Sequence, residues 1–76
     1  MKFHHWKKYE DEIVCACVLA NRTDDKTIKK LSVMLGIDES KVAFRMTNFC
    51  KLRNNHKTDW HCSKQELRVF WGLKLI

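Results

Sequence analysis

The sequence predicts an all-α chain of four helices, and three observations carry that reading. Acidic residues fall in clusters (Glu10-Asp11-Glu12, Asp24-Asp25, Asp38-Glu39), followed by single Asp59 and Glu66, and each cluster precedes or opens a run in which apolar residues recur at helical spacing. Carboxylates are favoured near helix N-termini by the unpaired amides and the peptide dipole, by roughly 0.3–1 kcal/mol each. The chain has no proline, and only two glycines, Gly36 and Gly72, interrupt it.

The first helix is expected near residues 8–21, with Tyr9, Ile13, Ala16, Cys17 and Ala20 as its buried face. Val14, Val18 and Leu19 widen that face, and Asn21-Arg22-Thr23 stops the helix. The second is expected near 24–35, with Thr23 as N-cap and Ile28, Leu31, Met34 and Leu35 as the buried stripe. Gly36 follows the last apolar residue and suits the left-handed position that closes a helix. The third is expected near 39–53, capped by Asp38, with Val42, Met46 and Phe49 inward and Cys50 and Arg53 beside them. Its opposite side carries Ser40, Phe44, Thr47 and Lys51, flanked by Lys41 and Asn48. After a polar loop over 54–62, Ser63-Lys-Gln-Glu66 reads as a capping box opening a fourth helix near 63–72. Leu67, Phe70 and Trp71 form its apolar face, and Gly72 is expected to loosen or end it, leaving Leu73, Leu75 and Ile76 extended.

At 76 residues, one domain with a thin core is expected. Apolar residues are 45% and charged residues 32% of the chain, as in soluble globular proteins. No apolar run is long enough for a membrane span, and the N-terminus lacks the apolar segment of a signal peptide, so a cytosolic protein is expected. Cys15, Cys17, Cys50 and Cys62 are accordingly read as free, mostly buried thiols. Trp6 and Trp60 each stand six residues before a Glu-aliphatic pair, and each is expected to pack on the helix that follows.

The formal charge of +6 favours an anionic partner, and its placement says more than its sign. Between Ser40 and Thr58 there is no acid, while Lys41, Arg45, Lys51, Arg53 and Lys57 all lie there.

The stretch 28–49 resembles the helix-turn-helix superfamily. Ser32 stands as the small residue of the first helix, Gly36 as the turn residue and Ile37 as the apolar plug, with Leu31, Leu35 and Val42 as the lock. With the first helix included, the chain is similar to tri-helical Myb-like and homeodomain-like domains, with the fourth helix packed on that unit. The pattern from Trp6 and Glu12-Ile13 through Leu31, Leu35, Val42 and Arg45 to Asn48-Phe49 is also similar to a small helical module found beside some restriction-type nucleases. One position departs: Arg45 stands where the superfamily has an aliphatic residue, and it is expected to snorkel or to pair with an acid of the 10–12 cluster. The alternative fold is a plain helical bundle.

The resemblance implies that the third helix enters the major groove of double-stranded DNA. It places Glu39, Ser40, Ala43, Phe44 and Thr47 towards base edges, with Asn48 able to read adenine and Phe44 able to touch a thymine methyl. Lys41, Lys51, Arg53 and Lys57, with Lys29 and Lys30 of the second helix, would hold phosphates. Phe44 could instead be covered by the fourth helix or the C-terminal tail. The implied role is transcriptional regulation. The other class of function is protein binding, by a homodimer or by a phage- or mobile-element-type adaptor, through Phe70, Trp71, Leu73, Leu75 and Ile76. No enzyme activity is expected, since no phosphate-cradling loop and no nucleophile with a base is visible. No cofactor and no metal are expected either, because the histidines lack a matching second ligand pair.

Overall fold

The computed structural model describes residues 4–54 and 62–74. Four helices follow in order: α1 (Lys8–Leu19), α2 (Asp25–Leu35), α3 (Glu39–Asn54) and α4 (Lys64–Lys74). No strand occurs among the described residues. Lys57, Trp60, Leu75 and Ile76, which the sequence singled out, lie outside them.

The helix ends follow local chemistry. The chain leaves α1 through Asn21, at φ 60°, in the left-handed region. The Asn21 amide donates to the Val18 carbonyl and the Arg22 amide to the Cys17 carbonyl, at 3.0 and 2.8 Å, which satisfies two carbonyls left over by the last turn. Gly36, at φ 67°, does the same for α2: its amide and that of Ile37 both reach the Ser32 carbonyl. The Ser32 hydroxyl then donates to the Ile37 carbonyl, and the Ile37 side chain plugs the core. Asp24 rather than Thr23 is the N-cap of α2, and it accepts a bond from the Thr27 hydroxyl at 2.6 Å. That bond holds the exposed Asp24 carboxyl below its ordinary range.

At α4 the capping box forms as expected. The Ser63 amide donates to Glu66 Oε1 at 2.9 Å, and the Glu66 amide donates to the Ser63 hydroxyl at 3.2 Å. At α1 Glu10 plays the matching part, accepting from the Lys7 amide at 2.8 Å and from His4 at 3.0 Å. Burial raises the Glu10 carboxyl, but the Lys7 amide and His4 outweigh it and leave the group below its ordinary value.

The core gathers Val14, Cys15 and Val18 of α1, Leu31, Ile37, then Val42, Met46, Phe49 and Leu52 of α3, and Val69 and Phe70 of α4. α1 lies along both α3 and α4, while α2 packs on α3. The three inward residues expected on α3 are all buried there.

Three further expectations are corrected. Met34, expected in the buried stripe of α2, is 58% exposed, because the core lies against the Leu31 side of that helix. α1 buries Val14 and Val18, as expected, but with Glu10, Asp11 and Cys15, while Tyr9 is 52% exposed and Ala16 and Ala20 face solvent. The fold buries the acid-bearing face because Arg45 of α3 answers the Asp11 charge and Gln65 of α4 donates to the same carboxylate. Gly72 does not end α4, which runs helically through Leu73 to Lys74. Leu73 and Trp71 pack against the core, and that packing holds the last turn.

Candidate nucleic-acid interface

The orientation of α3 is set by one cluster of charges. Arg45 Nε donates to Asp11 Oδ1 at 2.7 Å and Nη2 donates to Asp11 Oδ2 at 2.8 Å, a two-pronged pair. Arg45 Nη1 lies 3.0 Å from Glu66 Oε1. The guanidinium also sits 5.2 Å from the centre of the Trp6 ring. Gln65 of α4 donates to the Trp6 carbonyl at 2.7 Å and to Asp11 Oδ2 as well. Asp11 and Glu66 are fully shielded from water, so one guanidinium bridges three helices. The expected pairing of Arg45 with the 10–12 cluster is borne out at Asp11. The sequence carries no local signal for the parts played by Gln65 and by Trp6 as a lid over the guanidinium, and it marks Glu66 only as a cap.

At the far end of α3, Arg53 Nη1 donates to the Val18 carbonyl at 2.7 Å and to the Asn21 side-chain oxygen at 2.9 Å. This places a cation on the C-terminal end of α1, where the dipole favours it. Arg53 therefore turns inward, as Arg45 does, and leaves the set of candidate phosphate contacts. Asn48 leaves the base-reading set too: it is only 8% exposed, and the Cys62 thiol approaches its carbonyl at 3.9 Å. Cys62, two residues before α4, meets that flank of α3, which a reading of α3 alone could not show.

What remains outward is a single row at helical spacing: Ser40, Phe44, Thr47 and Lys51. Phe44 is 69% exposed, so no described residue covers it. The Thr47 hydroxyl donates back to the Ala43 carbonyl at 2.9 Å, leaving its methyl and its lone pairs outward. Glu39 is exposed at the start of the row, and Ala43 and Lys41 are half-buried along its edge. Lys29 is exposed on α2. Lys30 lines a groove between α1 and α2 to which α3 contributes nothing, so it stands apart from the row.

No disulfide joins the four cysteines, and burial pushes the Cys15 thiol up to about 12, aided by the nearby Asp11 charge. No helix among the described residues is long and apolar enough to cross a membrane. No group of three metal-ligating side chains occurs among them. No protein-family profile matches the chain, and comparison with curated proteins and with solved structures finds no relative.

Proposed function

We propose that this chain binds double-stranded DNA with the outward row of α3 in the major groove, as a small regulator of transcription. The observation that supports the reading is the contrast across α3. One side is clamped to α1 and α4 through Arg45 and Arg53, while Ser40, Phe44, Thr47 and Lys51 stay uncovered beside the turn at Gly36. Ser40 and Thr47 can bond base edges, Phe44 can meet a thymine methyl, and Glu39 can accept from cytosine. Lys51, with Lys41 and Lys29, supplies phosphate contacts. The helix-turn-helix resemblance belongs to this proposal.

The reading through the C-terminal helix has less support. Phe70 is buried and Trp71 and Leu73 are half-buried, so the described part of α4 offers no large apolar patch.

An amide NMR titration with a mixed-sequence duplex at two salt concentrations tests the proposal. Salt-sensitive shifts along Glu39–Lys51 are expected, and Lys51→Ala should weaken binding and lower the salt slope by about one unit. Shifts scattered over all exposed lysines, or an unchanged slope in the variant, would overturn it.

A further inference from the structure

Because α2 packs on α3, a groove of about 230 Å³ opens between α1 and α2. Its floor is apolar, made of Ile13 and Cys17, one turn apart on α1, and Leu31 and Met34 on α2. Its rim carries Arg22, Lys30 and Thr27, and no carboxylate lines it. Arg22 has its backbone anchored at the rim of this floor, the amide donating to the Cys17 carbonyl at 2.8 Å. Its charge is felt there: burial pushes the Cys17 thiol up, and the Arg22 guanidinium works against that. Neither Arg22 nor Lys30 has an acidic partner among the described residues.

A floor without charge and a rim of two unpaired cations is complementary to an occupant with an apolar body and flanking anions. Nucleic acid meets the rim but leaves the floor empty. Pockets that enclose small-molecule ligands run from about 300 to 1,000 Å³, so this groove is small for one, while one large side chain suits it. We propose that the groove docks an acidic protein segment. One large apolar side chain of the partner rests on Ile13, Cys17, Leu31 and Met34, and the carboxylates beside it pair with Arg22 and Lys30. The groove contains no α3 residue, so such a partner engages the chain without occluding the row at Ser40–Lys51.

The test is a selection of short random peptides displayed on phage against the whole chain, with Arg22→Glu and Met34→Asp as counter-targets. Both positions are exposed, and thermal melting monitored by circular dichroism establishes that the variants fold. The expected binders carry Asp or Glu within a turn of Leu, Ile or Phe, and lose affinity by about tenfold or more on either variant. They also slow alkylation of Cys17 by iodoacetamide, read by mass mapping, and bind Lys51→Ala as well as the parent chain. The proposal is overturned by a selection without binders, by binders indifferent to both variants, or by groove-dependent binders that lack acids. Protection of Cys17 by decanoate beyond that given by any peptide would also overturn it, and would assign the groove to a free amphiphile.

Discussion

α2 and the α1–α3–α4 unit are attached to the molecule in different ways. The latter three helices share the Asp11–Arg45–Glu66 bridge, the Trp6 lid and the large side chains Phe49 and Phe70. α2 buries only Leu31 fully, with Ile28 and Leu35 half-buried, and it carries Val33 at 86% exposure. It has the clean apolar stripe expected of an amphipathic helix, yet the less amphipathic α1 and α3 form the centre. The contrast teaches that sequence periodicity alone does not rank how deeply a helix is embedded, since α4 is also amphipathic and shares the central bridge. A helix at the centre is surrounded, and its buried face can include charges when neighbours supply the counter-charge.

The largest effect is expected at the bridge. Arg45→Ala leaves two buried carboxylates without their cation and should cost about 3–5 kcal/mol. That is comparable with the whole stability of a small domain, so the variant should be largely unfolded in circular dichroism and urea titration. Replacing Asp11, Arg45 and Glu66 together by apolar residues of similar volume should cost less than Arg45→Ala alone, because no charge is then stranded. A triple variant less stable than the single one would show that the bridge itself, rather than its incomplete removal, carries the effect. Among the described residues, Glu66 Oε2 is buried without a hydrogen-bond partner.

Leu31→Ala should cost about 2–4 kcal/mol, and in a different manner. Native-state hydrogen exchange should show α2 amides opening first while α1 and α4 stay protected. Uniform loss of protection would erase the distinction between the two regions.

At the junction, Gly36→Ala forces an alanine into the left-handed region. Its added Cβ meets nothing within 4 Å, so only the backbone cost of about 1–2 kcal/mol remains. Gly36→Asn should recover part of it, because asparagine tolerates that conformation; equal losses would point to contacts rather than backbone.

The smallest effect concerns pH. The folded-state carboxyl of Glu10 lies below its ordinary value, so its contribution is present above about pH 5 and fades as pH falls through the carboxylate range. The stability gap between the parent chain and Glu10→Gln should therefore shrink on acidification, as followed by melting temperature. A gap independent of pH would assign the effect to packing.

Much of the helical framework was legible because its signals are local. The acidic openings, the Ser63–Glu66 box, the Gly36 turn and the inward residues of α3 depend on residues within about one or two turns, and sequence displays those directly. For the candidate interface, the same locality placed Ser40, Phe44, Thr47 and Lys51 on one row. Tertiary structure decided the rest, through partners far apart in the chain. Arg45 meets Asp11 across 34 positions and Gln65 meets Asp11 across 54, and those contacts turn the acidic face of α1 inward. Arg53 reaches Val18 across 35 positions, and Cys62 meets the Asn48 carbonyl, which removes two residues from the set of candidate DNA contacts. The sequence alone determined where the helices begin and turn, because capping is short-range hydrogen bonding. Only the assembled fold decided which faces water loses, because desolvating a charge is tolerated only where a distant residue supplies its counterpart.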